Sequence, residues 1–230
     1  MSESPAIDLS IVIPTLNAAA HLPASLAALA AWPQASQIIV ADGGSEDETE
    51  SVARDAGVTI VQANRGRGQQ LAQGAASTTG QWILFLHADT VLQSGWVEDV
   101  GAFISEANNQ DRAAAFHFAL DDAAPQARRV ERLVAWRCRT LGLPYGDQGL
   151  LIHRDLYNKI GGYQQIPLME DVDMVRRIGK RQIHIFNSAA LTSADRFRTG
   201  GWWTRPSRNL FCLFLYMCGL PPRWIAKLYG

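Results

Sequence analysis

The stretch Gln37-Ile38-Ile39-Val40-Ala41-Asp42-Gly43-Gly44-Ser45-Glu46-Asp47-Glu48 decides the fold. A β-branched apolar run ends on an acid and two glycines, then passes into Ser45…Glu48, the spacing of a capping box. The spacing predicts a buried strand over 37–41, a tight turn and a helix to Ala56, stopped by Gly57. The same unit repeats on either side. Leu9–Pro14 is an apolar strand, and Asn17 is placed to cap a helix through Ala31 with Leu22, Leu26 and Leu29 on one face. Val58–Val61 and Trp82–Leu86 read as further strands, with a helix over 68–77 between them. Near-continuous apolar strands separated by helices predict a parallel sheet covered on both faces. The predicted class is α/β, a Rossmann-like, mostly parallel central sheet flanked by helices.

Beyond residue 90 the pattern loosens. Helices are expected over 96–107, 126–141, 155–160 and 170–179, and strands over 113–120, 149–153 and 184–187. An apolar run over 209–220 and a last short helix after Pro221-Pro222 form a helical C-terminal extension. The expected organisation is one domain over 1–195 with an extension over 196–230 packed on it.

Composition narrows the function. The 230 residues carry a net charge of -1 and are 47% hydrophobic, a globular balance. Charge is uneven: residues 1–175 hold 11 basic and 21 acidic groups, -10, whereas 176–230 hold 10 and 1, +9. A basic tail on an acidic body suggests an anionic contact; nucleic acid, a membrane surface and a phosphorylated substrate all qualify on charge alone. Cys138, Cys212 and Cys218 form neither a disulfide framework nor a zinc spacing, which fits a reducing cytosol. The N-terminus has no signal-peptide pattern, and no apolar run approaches the ~20 residues of a membrane span.

Ligands of such sheets gather at the carboxyl ends of the strands, and each of the first four strands is followed by a polar segment. Asp42 can accept N–H bonds from a base or hydroxyls from a ribose, or can form an Asx turn. Arg65-Gly66-Arg67-Gly68 pairs two guanidinium groups with flexible glycines, which suits a pyrophosphate or a solvated loop. In His87-Ala88-Asp89, residues two apart in extended chain point the same way, so imidazole and carboxylate can share a divalent ion; a purely structural turn is the alternative. Glu170-Asp171-x-Asp173 opens a helix, where acids favour the dipole or supply a general base. Gly146-Asp147-Gln148-Gly149 is a turn or a substrate contact. Trp202-Trp203 and the run 210–220, beside Arg205, Arg208, Arg223 and Lys227, form a packed amphipathic helix or a membrane-facing edge.

The ordered set Ser10–Asn17, Ile39–Asp47, Asn64–Gly68, Leu84–Thr90, Gly146–Gly149 and Met169–Asp173 resembles a family-2 glycosyltransferase of the GT-A fold. The His-Ala-Asp and Gly-Asp-Gln-Gly segments resemble the bacterial subgroup called radical-SAM/selenodomain-associated transferase 2. The resemblance implies inverting transfer of a sugar from a nucleotide-diphosphate donor, commonly a UDP-sugar, to a hydroxyl acceptor. It implies donor contacts from Pro14, Thr15, Asn17, Asp42, Arg65, Arg67, His87, Ala88 and Asp89, and catalysis by Asp171 with Glu170 beside it. It further implies a divalent metal, Mn2+ or Mg2+, at Asp89 and His87. His87 stands where the family usually has an acid, and imidazole suits manganese better than magnesium. Asp147, Gln148 and Trp202 are the expected substrate contacts. No nucleic-acid partner is expected. The tail is left to a membrane surface at the inner face of the cell membrane, a partner subunit in a homodimer, or a lipid-linked acceptor. A nucleotidyltransferase would need a glycine-rich loop with a lysine after the first strand, and 14–20 has neither. The remaining alternative is a non-catalytic nucleotide-sugar-binding or membrane-associated module on a degenerate transferase fold.

Overall fold

The computed structural model describes residues 8–33 and 37–229, apart from the side chains at 196, 205 and 229. The N-terminal segment 1–7, on which the signal-peptide expectation rests, and the Arg205 side chain therefore lie outside the described residues. The strands are β1 (Leu9–Thr15), β2 (Gln37–Asp42), β3 (Thr59–Gln62), β4 (Trp82–Phe85), β5 (Thr90–Leu92), β6 (Ala113–Leu120), β7 (Leu150–His153) and β8 (Ile183–Thr192). The helices are α1 (Leu22–Leu29), α2 (Thr49–Asp55), α3 (Arg67–Ala76), α4 (Trp96–Ser105), α5 (Pro125–Leu141), α6 (Arg154–Lys159), α7 (Glu170–Ile178), α8 (Asp195–Gly200), α9 (Thr204–Met217) and α10 (Pro222–Tyr229).

The strands form one sheet in the order β3-β2-β1-β4-β7-β6-β8-β5. The β3-β2-β1-β4 half is parallel. The other half is mixed: β7 runs antiparallel to both β4 and β6, β6 and β8 are parallel, and β5 closes the edge antiparallel to β8. The strand alternation divides the core. Leu9, Ile11 and Ile13 of β1, with Trp82 and Leu84 of β4, join a cluster that includes Leu22 and Leu29 of α1 and Val100 of α4. Val12, Ile83 and Phe85 point the other way, to Leu71 and Ala75 of α3 and Met174 and Ile178 of α7. Two buried faces explain why these strands read as unbroken apolar runs rather than alternating ones. A Cβ on Gly74 would stand 2.5 Å from Val12 Cγ1, so α3 can lie against β1 only with glycine there.

Several expectations need correction. Asn17 does not cap the first helix, which starts at Leu22 with a proline in its first turn. Ser45 does not cap the second, which starts at Thr49; its hydroxyl is drawn away to Asp42. The short edge strand β5 and helix α8 had no distinct sequence signal, and β8 is longer than its apolar core suggested. The C-terminal helices dock on the body: Cys212 and Leu213 of α9 and Ile225 of α10 are buried with Val172 and Val175 of α7. The Tyr216 hydroxyl donates to Asp173 Oδ1 at 3.1 Å, and Asp173 also pairs with Arg177 at 2.6 Å.

Candidate active site

Strand order progresses outward from β1 through β2 to β3, then returns to β4 beside β1. That reversal places a crevice beyond the carboxyl ends of β1 and β4. A cavity of about 380 Å3 occupies it. Its wall contains Pro14 and Thr15 from the end of β1 and Asn17 just after it, Arg65 from the loop after β3 and Arg67 at the start of α3, and His87, Ala88 and Asp89 after β4. Eight of the nine expected donor residues thus share one wall. His21 and Gln70 also line it, and neither was anticipated. Gln70 carried one available signal, an amide on the buried face of α3. Its Nε2 donates to the Thr15 carbonyl at 2.5 Å and the Ala41 carbonyl at 3.1 Å, tying α3 to the ends of β1 and β2.

Asp42 is the ninth residue, and it is absent from the wall. It is fully buried. Its Oδ1 accepts from Thr15 Oγ1 (2.8 Å) and Ser45 Oγ (2.6 Å), and its Oδ2 from the amides of Gly44 (2.9 Å) and Ser45 (2.7 Å). A carboxylate offers about four lone-pair sites, and four donors fill them. The Asx turn is the reading these bonds draw. Burial raises the Asp42 pKa, but the Ser45 and Thr15 hydrogen bonds outweigh it and hold the carboxyl below its ordinary value. The neighbouring loop is laced to this turn: Asn17, in the left-handed region at φ 52, accepts from the Glu46 amide through Oδ1 and donates its own amide to Ser45 Oγ, both at 2.9 Å. Asparagine tolerates that backbone better than most residues.

His87 and Asp89 are both partly exposed at the cavity, while Leu86 and Ala88 between and before them belong to the core. Residues 88–89 lie in a turn rather than in extended chain, yet both polar residues reach the same cavity wall. Among the described residues no group of three or more His, Cys, Asp or Glu side chains converges as a metal site. His87 and Asp89 are the residues on this wall that could hold a divalent ion.

A second cavity of about 150 Å3 adjoins the first, and Arg67 and His87 line both. Its wall includes Glu170 and Asp171 from the start of α7, with Tyr145, Asp147 and Asn209. Arg67 Nη1 stands 3.3 Å from Glu170 Oε1, and Glu170 is only 3% exposed. Burial raises the Glu170 pKa, with Arg67 opposing and Asp171 reinforcing the shift. Burial lowers the Arg67 pKa, yet the carboxylates of Glu170, Asp171, Asp89 and Asp147 leave it raised, so the guanidinium stays charged. Asp171 Oδ2 accepts from the Gly146 amide at 3.0 Å and Oδ1 from the Val172 amide at 2.7 Å. Met169, immediately before α7, sits at φ 69, a backbone rarely adopted by a non-glycine residue.

Asp147 is half-buried, and its Oδ1 has no hydrogen-bond partner. Burial pushes its pKa up to about 6, against the pull of Arg137 and with the push of Asp171 and Asp89. The other two expected substrate contacts lie elsewhere. Gln148 is buried, donating to the Phe116 carbonyl at 2.9 Å and accepting from the Tyr145 amide at 3.3 Å, so it fixes the 146–148 turn from behind. Trp202 stacks on Phe197 at 5.7 Å and lines neither cavity. Tyr145, Leu168 and Asn209 are wall residues that sequence reasoning missed; none sits in a segment with a recognisable spacing.

Comparison with known proteins identifies the family and the fold. Residues 10–155 match the Glycosyl transferase family 2 domain. The PGL/p-HBAD biosynthesis glycosyltransferase of Mycobacterium tuberculosis is 36% identical over 111 residues, 44% of this chain and 43% of that protein. Succinoglycan biosynthesis protein ExoU of Rhizobium meliloti is 30% identical over 172 residues, 66% of this chain and 49% of that protein. The chain thus spans about half the length of the curated relatives it matches. Among solved structures, residues 1–349 of S. aureus TarS superpose with a TM-score of 0.63 at 17% identity, over 81% of this chain and 60% of that one. Glucosyl-3-phosphoglycerate synthase from Mycobacterium tuberculosis, in complex with Mn2+, UDP and glucosyl-3-phosphoglycerate, superposes at 0.59 and 20%, over 93% and 81%. These structural likenesses establish the GT-A fold. With a matching domain covering more than half its length, the chain belongs to glycosyl transferase family 2.

Proposed function

We propose that this protein transfers a sugar, with inversion, from a UDP-sugar to a hydroxyl acceptor. The observation that carries the proposal is the sharing of Arg67 and His87 between the two cavities, which makes a nucleotide-diphosphate site continuous with the Asp171 carboxylate. The choice of uridine rests on the structural neighbours, whose complexes hold UDP or UDP-GlcNAc. The donor lies in the larger cavity, with its diphosphate toward Arg65 and Arg67. Asp42 acts indirectly in this scheme, by fixing the 42–45 turn against which Asn17 is tied.

As the bond from the anomeric carbon to the diphosphate oxygen breaks, negative charge grows on the leaving group and meets the guanidinium of Arg67. The acceptor oxygen attacks the opposite face of the sugar, and its proton passes to Asp171. Two of the carboxylate's lone-pair sites are occupied by the Gly146 and Val172 amides, which orient it and leave capacity for the proton. Glu170, paired with Arg67, holds that guanidinium in place. A divalent ion bound by Asp89 and His87 would neutralise charge on the diphosphate, and the imidazole favours manganese.

We further assign the chain to the radical-SAM/selenodomain-associated subgroup on its His-Ala-Asp and Gly-Asp-Gln-Gly wording, and divide it into a catalytic domain, 1–195, and an extension, 196–230. No helix among the described residues is long and apolar enough to cross a membrane. The extension nevertheless exposes Leu210, Phe211, Phe214, Met217, Trp224 and Leu228 in a basic segment, which suits the surface of an anionic membrane on the cytoplasmic side. Co-sedimentation with liposomes that rises with anionic lipid supports that placement; indifference to lipid charge removes it.

The test of the transferase is UDP release from UDP-glucose and UDP-GlcNAc, with and without Mn2+. The expected result is metal-dependent turnover that falls ~10²–10⁴-fold in Asp171→Asn while UDP affinity is kept. Full turnover in that variant would move the base elsewhere, and absence of UDP binding in the native protein would overturn the assignment.

A further inference from the structure

A third cleft reaches the catalytic cavity from the side of the C-terminal helices. It holds about 130 Å3 between α5 and α9, and Phe118, Val130, Val134 and Leu213 give it an apolar wall. Tyr145, Asp147 and Asn209 line both this cleft and the cavity that contains Asp171, so the two spaces are contiguous. At the outer rim, Leu133, Trp136, Leu141 and Leu210 line the cleft while remaining roughly half exposed, between 47% and 61%. At the inner end, Asp147 leaves Oδ1 buried without a donor. A buried acceptor in that state is unfavourable until a donor arrives.

These features select a chemistry. A sugar acceptor needs hydrogen-bonding groups along its whole length, and this cleft supplies them only at its inner end. Its volume is well below the ~300–1,000 Å3 of ordinary ligand pockets, which suits a chain or a single ring. Resting on the transferase reading, we infer that the cleft is the acceptor entrance and takes an alcohol or phenol whose hydroxyl is carried on a slender apolar group. The hydroxyl docks first on Asp147 Oδ1 at the inner end and, in the reacting complex, turns its proton to Asp171 in the adjoining cavity, while the apolar group extends to the rim formed by Leu133 and Leu210. The rim belongs to the same exposed apolar surface as α9, so an acceptor residing in a lipid layer can enter without crossing water.

The experiment is calorimetric binding of a 4-alkylphenol series, methyl to octyl, to the full chain, with UDP binding measured on the same preparation. Affinity is expected to tighten about three- to fourfold per methylene until the chain reaches the rim. Leu133→Glu and Leu210→Glu lie at exposed positions where folding tolerates charge, and each is expected to flatten that dependence. Asp147→Leu is expected to weaken the phenols at least tenfold but not the matching alkylbenzenes, which lack the hydroxyl. Affinity independent of chain length, or a dependence that survives both glutamates, overturns the inference. UDP binding without any chain-length dependence removes the cleft and leaves the transferase; chain-length dependence without UDP binding removes the transferase and leaves the cleft as an apolar-alcohol site.

Discussion

The backbone amide of Gly146 donates to Asp171 Oδ2 at 3.0 Å, from a position where an added Cβ would stand 2.6 Å from His87 Nε2. One glycine therefore sets the spacing between the proposed base and the diphosphate side of the site. Gly146→Ala must displace either the imidazole or the turn that holds Asp171. A misplacement of about 1 Å can cost ~10²-fold in rate. The expected outcome is a one- to two-order loss of kcat with weaker dependence on Mn2+, at a melting temperature within a few degrees of native. Parallel assays of UDP release and thermal unfolding check it.

Arg67 and Glu170 form the pair on which the floor of the site depends. Breaking a buried pair on one side typically costs about 3–5 kcal/mol, and the partial exposure of Arg67 reduces this to about 1–3 kcal/mol. Arg67→Met leaves Glu170 buried and unpaired, and is expected to lower stability by that amount and to abolish UDP binding. Adding Glu170→Gln is expected to restore most of the stability and none of the binding. Urea unfolding and UDP titration of the two single variants and the double variant separate the effects.

The parallel half of the fold was legible because burial on both faces leaves a plain mark, the unbroken apolar runs of β1, β2 and β4 between polar loops. The cavity beyond β1 and β4 was legible in part from the same reading, since three of the four polar segments reach its wall, while the fourth, at Asp42, turns inward. The mixed half was less legible. β5 has three residues, and the edge portion of β8 gains its strand state from pairing with β5 and β6 rather than from its own composition. Local caps were misplaced for a related reason: Asn17 and Ser45 satisfy each other's loops across 28 residues, a long-range bond that no local spacing encodes. Asn209 enters the wall only because α9 folds back over the body, and Tyr145 only because the 146–148 turn is brought beside α7. The identity of such residues depends on tertiary placement alone.

Asp42 contributes through four hydrogen bonds, and its pKa lies below the ordinary carboxylate value. A depressed pKa gives stability that is present above the unfolded-state pKa and lost as pH falls through the folded one. Asp42→Ala strands two hydroxyls and two amides, and is expected to cost about 2–4 kcal/mol at pH 7. As pH falls below the ordinary carboxyl value of 3.8, the gap between variant and native protein should narrow. Asp42→Asn keeps a carbonyl acceptor and should fall between the two. Chemical unfolding at pH 7 and at acid pH measures both differences.

Asp147 carries the opposite sign. Its pKa is raised from 3.8 to about 6, so the folded chain holds this proton more tightly than the unfolded chain does. Stability from that proton is present below about pH 4 and is lost as pH rises through about 6. At pH 7 the ionised carboxylate stands partly buried, with Oδ1 unpaired and the charges of Asp171 and Asp89 opposing it. Asp147→Asn removes that penalty while keeping the shape. The variant is expected to be more stable than the native protein at pH 7, by up to about 3 kcal/mol at ~1.4 kcal/mol per pKa unit, and to match it near pH 4. Its melting temperature should accordingly stay flatter between pH 4 and 7. Identical pH profiles for the two proteins would show that the folded chain does not hold the Asp147 proton more tightly than the unfolded chain does. A gain in stability joined to a loss of acceptor affinity would instead identify Asp147 as a residue kept ionised for binding at the expense of the fold.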